Sequence, residues 1–483
     1  MTGHREAQGM RPRSFAAAAT GEAVADIVPE EEPIATGAAA PPSLWWPLAR
    51  FAIPQSASAA LQLLSGTVTA IYFGQLLGGS ALAVASVFFP IFFLLVSFLI
   101  GLISGGIVLV ARAHGADDSD GVRTAAGTTL CVCVCLSVAI AATGYGFAPA
   151  LLGLMATPPD IIASAIDYAH VTFLSLPPVT LLFAYAFLLR GTGDAKTPLI
   201  VMAVYFGTSM LLTPALILGW GGLPRCGVTS APLANIAACA VALPVLVMLL
   251  RRQGHPMALG SELIRRLRID RKLVGPFFGL GIPGGVQTMV ASLAEVAVIT
   301  LVNSFGSSAT AAYGAVNQVI GYLLAPMQAV GLAATVIAAQ SIGARQFGQL
   351  HRVVRSAGVM NVLVGAVSVA GLLLFAETIL SWFVTDAATL EMAERALKLM
   401  LWSYVLVGLA DVIVGVMRAS GTVAWPTVIA LSGIWLVQVP VAYLCSGAAG
   451  LDGVWLGYPA GFAVALLAQL TYFSLIWTPR TER

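Results

Sequence analysis

From residue 81 to residue 110 the chain carries no charged side chain, and eleven further stretches come close to it in length and apolar content. Crossing the hydrocarbon core of a bilayer takes about 20 helical residues. Backbone amides cannot be left unpaired there, so runs this uniformly apolar fold as helices. The spans are expected at 50–73, 81–110, 122–145, 161–189, 197–219, 228–250, 276–303, 310–341, 353–376, 391–417, 425–446 and 452–477. Several run closer to about 28 residues than 20, which calls for tilt or extension beyond the lipid. Composition excludes the soluble alternative. Only 10% of the residues are charged and 58% are hydrophobic, whereas a soluble domain carries about 25% charged residues. The fold class is an all-α polytopic membrane protein. A net charge of +2 leaves no electrostatic footprint for nucleic acid.

The spans divide into two copies of one unit. Arg190-Gly-Thr-Gly-Asp-Ala-Lys-Thr-Pro198 is answered by Arg418-Ala-Ser-Gly-Thr-Val-Ala-Trp-Pro426. At the same spacing Gly78-Gly-Ser-Ala-Leu-Ala83 meets Gly306-Ser-Ser-Ala-Thr-Ala311, and Gly115-Ala116 meets Gly343-Ala344. One insertion later, Ile53-Pro54 meets Ile282-Pro283. A fixed internal period of this kind marks repeated architecture. Between the copies lies Arg251–Lys272, the only long, strongly basic segment between apolar ones. The expected organisation is a disordered tail (1–44), a six-helix lobe (45–250), a basic linker (251–275), a second six-helix lobe (276–477) and a short tail (478–483). The first segment is rich in Ala, Pro, Gly and Glu and lacks the apolar core of a signal peptide.

Basic residues set the orientation. Arg112, Arg123, Arg190, Lys196, the linker, Arg345, Arg352, Arg355 and Arg418 fall in one set of connections, with Arg5, Arg11, Arg13, Arg480 and Arg483 in the tails. About 21 of the 24 basic residues lie on that side, leaving Arg225, Arg395 and Lys398 opposite. The positive-inside rule places that side, and both termini, in the cytoplasm of a cell inner membrane. Each half begins and ends on one side, so the repeats are parallel rather than inverted. Prolines at 54, 90, 177, 178, 214, 283, 326 and 440 lie inside spans, where neighbours can satisfy the carbonyls they free. Cys131, Cys133 and Cys135 do not share a helix face, so small buried residues explain them better than a metal site.

In this frame, several motifs resemble one known family. Leu189-Arg-Gly-Thr-Gly-Asp-Ala-Lys-Thr-Pro198 resembles the "LRGxGD…P" segment of the multidrug and toxic compound extrusion (MATE) family. Gly74…Gly78-Gly-Ser-Ala-Leu-Ala83 with Gly115-Ala116 resembles its second helix, Asn317-Gln318 with Gln340-Ser-Ile-Gly-Ala344 its eighth, and Gly453-Val-Trp455 its "GVW" element. The resemblance covers roughly residues 45–477. It implies two six-helix lobes forming a V around a central cavity, and export of organic cations in exchange for entering Na⁺ or H⁺. One position departs from the pattern: the family's first-helix "VDT…G" segment reads Val68-Thr-Ala-Ile-Tyr-Phe-Gly74, so Thr69 stands where many members carry Asp.

Charges at mid-membrane cost about 3 kcal/mol or more and call for a reason. Glu295 lies well inside the seventh span, about 28 Å from its start near residue 276 at 1.5 Å per residue. It resembles the seventh-helix Glu of one branch of the family. Asn317 and Gln318 reach a similar depth on the eighth span, and Tyr404 and Gln438 can approach from the tenth and eleventh. A carboxylate among neutral polar groups in low dielectric suits a proton carrier, with a transient Na⁺ at Glu295 as a second occupant; the structural alternative is a Glu that stays protonated and hydrogen-bonds between helices. Asp411 is the second candidate. It lies about 10 Å from the inner end of its span, about 15–20 Å below Glu295, and either shares the ion path with Tyr404 or pairs with a basic group. Asp167 and His170 are expected at the surface. Tyr72, Tyr185, Tyr205, Trp435 and Trp455 are candidates for stacking on cationic substrates, or for packing.

Two apparent nucleotide motifs fail. Gly279-Leu-Gly-Ile-Pro-Gly284 lacks a surrounding βαβ unit, and Gly191–Thr197 lacks Walker A spacing. His114, His255 and His351 fall in connections, and no nucleophile–base set emerges, so the chain is not expected to be an enzyme. No cofactor or resident metal is expected. The expected function is a cation-coupled antiporter exporting organic cations by alternating access. The alternative is a flippase for a lipid-linked saccharide. Expected partners are small cationic molecules and membrane lipid, with a monomer sufficient.

Overall fold

The computed structural model describes residues 44–478, apart from 156, 259 and 385. The tail expected before residue 44, its arginines, and Arg480 and Arg483 lie outside the described residues. Among these residues there are no strands. Twelve helices are long and apolar enough to cross a membrane, and the protein is a multi-pass membrane protein. In the first lobe they are α1 (Trp45–Leu77), α2 (Gly79–Gly115), α3 (Ser119–Leu154), α4 (Ile162–Gly191), α5 (Lys196–Leu218) and α6 (Gly227–Arg252). In the second they are α7 (Arg271–Asn303), α8 (Ser307–Gly343), α9 (Phe347–Leu374), α10 (Ala387–Ala419), α11 (Ala424–Ala449) and α12 (Leu451–Trp477).

Most helices outrun the apolar stretches that announced them, because their ends are finished by polar chemistry. Asp118 caps α3 by accepting from the Gly121 N–H at 2.8 Å, and Asp270 caps α7 by accepting from Lys272 N–H at 2.9 Å. Both satisfy amide donors that a first turn leaves open. Pro54, Pro177, Pro178, Pro214, Pro283 and Pro326 all stay inside continuous helices. Before Pro440 the ladder does give way. The missing N–H leaves the turn Gly433–Gln438 in the wider π form.

The turns show the repeat most directly. Gly78 before α2 and Gly306 before α8 take the same left-handed conformation (φ 87° and 102°), one that favours glycine. At the other ends of these helices Asp117 and Arg345 also match (φ 54° and 57°).

Within each lobe α3 packs on α4, α5 on α6, α8 on α10 and α11 on α12. The lobes meet where α1 and α2 face α7 and α8. Along α2 and α7 the approach is backbone to backbone. Gly101 faces Gly285, and a β carbon on Gly105 would stand 2.9 Å from the Gly281 amide nitrogen. Small residues one turn apart permit this, and in lipid close packing is a main source of helix association. Thr288 Oγ1 adds a hydrogen bond to the Ser97 carbonyl at 3.1 Å.

The linker is not a free hinge. α6 ends at Arg252 and α7 starts at Arg271, so the connection is shorter than the basic segment suggested. It is also docked on the first lobe. Met257 and Leu263 are fully buried, and the Tyr185 hydroxyl donates to the Met257 carbonyl. Arg123 donates to the Pro256 carbonyl at 3.2 Å.

Candidate substrate and coupling-ion site

Glu295 projects from α7 at an exposed position, and no cation lies within salt-bridge distance of it among the described residues. Its surroundings come from three other helices of the same lobe. Tyr313 (α8), Tyr404 (α10) and Tyr458 (α12) all lie within its electrostatic reach. The Tyr313 and Tyr458 hydroxyls are 2.8 Å apart and hydrogen-bonded. The Asn317 side chain, one turn along α8, also approaches the Tyr313 hydroxyl. Behind the tyrosines stands an aromatic wall. Trp455 stacks on Tyr313 (5.6 Å, 13°), and Phe462 meets Tyr404 edge-on at 5.1 Å. Tyr404 follows a 3-10 turn, Leu401–Ser403, that interrupts α10. Breaks of this kind inside a long helix often sit at functional positions.

One carboxylate thus lies within electrostatic reach of phenol hydroxyls and π faces. That set suits a cation: the carboxylate supplies the charge, and the ring faces attract an organic cation through their quadrupoles. The hydroxyls hold the carboxylate's neighbourhood polar without supplying a fixed positive charge.

The remaining sequence candidates go elsewhere. Gln318 sits one residue past Asn317 and so points about 100° away around α8. Its Nε2 donates to Thr67 Oγ1 of α1 at 2.9 Å, a bond between the lobes. Gln438 is buried in the π turn with its backbone and Cβ against Gly457 and Gly461 of α12. Asp411 lies about 10 Å further along α10 than Tyr404, with its Cβ against Gly331 of α8, and feels Arg418 rather than Glu295. Thr69, at the place of the family's first-helix Asp, donates to the Ser65 carbonyl on its own helix at 2.9 Å. His170 stacks on Tyr145 at 4.0 Å.

Two features escaped the sequence. Tyr313 and Tyr458 were not singled out, although Tyr313 precedes Asn317 by one helical turn and Tyr458 follows Gly453-Val-Trp455 by three residues. Arg190, expected in a connection, is instead the last-turn residue of α4 and only 3% exposed. Its guanidinium lies 4.0 Å over the Phe187 ring. A flat, weakly hydrated cation tolerates such a setting better than an ammonium would.

Comparison with known proteins agrees with this architecture. The MatE family model matches residues 54–215 and 283–444, one match per repeat. The chain belongs to the MatE family. The matched segments begin at Pro54 and Pro283, the prolines of the Ile-Pro pairs that open the two copies. A probable multidrug resistance protein of Bacillus subtilis, YoeA, is 41% identical over 449 residues, 92% of this chain and 97% of that protein. A second from the same organism, YpnP, is 27% identical over 430 residues, 88% of this chain and 94% of that protein. Among solved structures, an outward-facing conformation of a multidrug resistance MATE family transporter superposes with a TM-score of 0.83 at 21% identity, covering 90% of this chain and 96% of that one. At that identity it speaks for the fold of this MatE protein and not for its substrate.

Proposed function

We propose that the protein is a secondary antiporter that exports organic cations in exchange for an entering H⁺ or Na⁺. The observation that carries this reading is Glu295, a carboxylate without a cationic partner among the described residues, within electrostatic reach of Tyr313, Tyr404 and Tyr458. Such a group binds a substrate cation or the coupling ion, but not both at once. Entry of the ion then releases the substrate. Inward ion movement supplies about 2.3 kcal/mol per charge per 100 mV. The names of the B. subtilis relatives, which refer to multidrug resistance, support the substrate class. The arginine-rich end of the bundle is cytoplasmic by the positive-inside rule, in a cell inner membrane. A flippase for a lipid-linked saccharide would want arginines around the cavity. Here Arg112, Arg190 and Arg418 all sit in the last turns of their helices.

Ethidium efflux from cells lacking their own pumps tests this. Wild type should pump, and Glu295→Gln at equal membrane level should lose at least about tenfold in rate. Abolition by an uncoupler or by removing Na⁺ names the ion. Equal pumping by both proteins would refute the carboxylate mechanism. Failure of wild type on a panel of cations would refute the substrate class.

A further inference from the structure

The two lobes touch at the arginine-rich end through two matching side-chain contacts, three hydrogen bonds in all. Arg112, in the last turn of α2, reaches across to α10 and donates to the Ala419 carbonyl, from Nε at 2.9 Å and from Nη2 at 2.5 Å. Gln340, in the last turn of α8, reaches across to α4 and donates from Nε2 to the Gly191 carbonyl at 3.0 Å. Arg112 and Gln340 occupy the same place in the two repeats, as do Gly191 and Ala419. Each lobe therefore offers one donor and one acceptor to the other.

The local backbone explains why these carbonyls are available. A helix leaves its last four carbonyls without partners on the helix itself. After α4 the chain turns through Gly193 (φ 84°), whose N–H bonds back to the Arg190 carbonyl at 2.9 Å. After α10 it turns through Gly421 (φ 95°), whose N–H bonds back to Arg418 at 3.0 Å. Both turns pass over the carbonyls of Gly191 and Ala419 and leave them facing the opposite lobe. At Gly193 and Gly421 the positive φ is what calls for glycine, and the incoming side chains lie at ordinary contact distance from them. A β carbon at Gly193 would lie 3.5 Å from Gln340 Nε2, and one at Gly421 would lie 3.5 Å from Arg112 Nη2. Glycines at a further matched pair, Gly115 and Gly343, let the ends of α2 and α8 lie against one another: Gly115 abuts the Gln340 backbone and Gly343 the Arg112 carbonyl. Arg112 brings a positive charge to the negative end of α10, which strengthens its bond relative to that of the neutral Gln340.

We propose that Arg112 and Gln340 are the closing bolts of a gate at this end of the transporter, and that both contacts must break for substrate to enter from that side. The assignment rests on the transport reading above but concerns a different place in the molecule. Glu295 sits in α7, whereas the bolts lie at the far ends of α2 and α8. When the lobes part here, the carbonyls of Gly191 and Ala419 lose their donors together.

Interlobe distance tests this without any substrate, so its outcome is independent of what the protein transports. Spin labels are attached at Lys196→Cys on α5 and Arg352→Cys on α9, both exposed, in a full-length chain whose six native cysteines are replaced by alanine. Pulsed electron–electron distances are then measured in nanodiscs. Wild type should give a dominant short distance. Arg112→Ala with Gln340→Ala should raise the longer-distance population on the order of tenfold or more. Gln340→Ala alone removes only the neutral bond and should raise it by a few-fold, which keeps the test alive if the double variant does not fold. Arg112→Gln installs the residue that does the same work in the other repeat and should stay close to wild type. An unchanged distribution in the folded alanine variants would overturn the proposal. So would an Arg112→Gln variant that opens as far as Arg112→Ala.

Discussion

Two alanine substitutions less than two turns of helix from the same seam should shift stability in opposite directions. Gly105 on α2 faces α7, and its missing β carbon would stand 2.9 Å from the Gly281 nitrogen, 2.9 Å from the Phe277 carbonyl oxygen and 3.1 Å from Gly281 Cα. All three are backbone atoms, so no side chain can swing away. Carbon atoms pack best at about 3.5–4.0 Å, and α7 would have to withdraw by roughly half an ångström or more. Overpacking of this kind costs about 1–3 kcal/mol. Withdrawal also stretches the Thr288–Ser97 bond, now 3.1 Å, which risks about 1 kcal/mol more. Against this stands a gain of about 1 kcal/mol in helix propensity. The net expectation for Gly105→Ala is a loss of about 1–3 kcal/mol. Gly279 lies on α7 with nothing within 4 Å of its β position, so Gly279→Ala keeps only the propensity gain, about 0.5–1 kcal/mol. Thermal unfolding in one detergent should place Gly105→Ala below wild type and Gly279→Ala at or above it. A Gly105→Ala protein that melts with or above Gly279→Ala would show that the seam is not close-packed, and the account of lobe contact would fall with it.

Other perturbations read other parts of the molecule. Thr67→Val strips Gln318 of its partner across the lobes and should cost about 1–2 kcal/mol in thermal unfolding, while a Thr67→Val/Gln318→Leu double variant should fall short of the sum of the singles. Tyr185→Phe releases the Met257 carbonyl, so trypsin should cut faster at the linker arginines, which SDS gels would follow. His255 lies in the linker, where its Nδ1 accepts from the Met257 N–H and its Nε2 meets Thr192 Oγ1, both at 3.1 Å. Burial holds this imidazole below its usual value of 6.5, Asp194 pulls it back up and His114 pushes it down. Its neutral form is therefore the folded one. The stability it contributes is complete above about pH 6.5 and is lost as pH falls from there through the lower folded value. The wild-type melting temperature should drop more between pH 7.5 and 5.5 than that of His255→Gln, and equal slopes would refute the assignment.

The fold was legible because lipid imposes a length on every span and the turns repeat. Run length and the Arg-Gly-Pro correspondence placed twelve helices in two lobes. Helix ends were less legible: the run from 276 to 303 gives no sign that α7 begins at Arg271, since Asp270 rather than an apolar residue starts it. The site was half legible. Depth along a helix follows from counting, so Glu295, Asn317 and Tyr404 could be set at one level. Direction around a helix depends on tertiary packing. One residue separates Asn317, which approaches Tyr313, from Gln318, which bonds Thr67 on the other lobe. Gln438 lies in the π turn before Pro440, where a plain count of about 3.6 residues per turn no longer gives the direction of a side chain. Tyr313 and Tyr458 were missed because tyrosines in apolar helices most often pack or anchor at interfaces.

The repeats agree at their ends and disagree in their middles. Counted from the Ile-Pro pairs, Gly66 holds the place of Glu295, and at the repeat spacing Ala85, Leu176 and Ser230 hold those of Tyr313, Tyr404 and Tyr458. The first lobe thus lacks both the carboxylate and the phenols, while both lobes supply one bolt each. In the proposed mechanism an occupant at Glu295 would act first on the second lobe, and the rods that could carry its effect are identifiable. α10 runs from Tyr404 to Ala419, about 22 Å at helical rise, and α8 from Tyr313 to Gln340, about 40 Å. Each ends in one half of the gate. Adding a transported cation to the spin-labelled protein should therefore change the interlobe distance populations, and Glu295→Gln should abolish that response while leaving the unliganded distribution unaltered. A response that survives in Glu295→Gln would mean that the cation acts from somewhere other than the tyrosine cluster. A normal response in Arg112→Ala with Gln340→Ala would mean that the site biases the lobes without passing through the bolts.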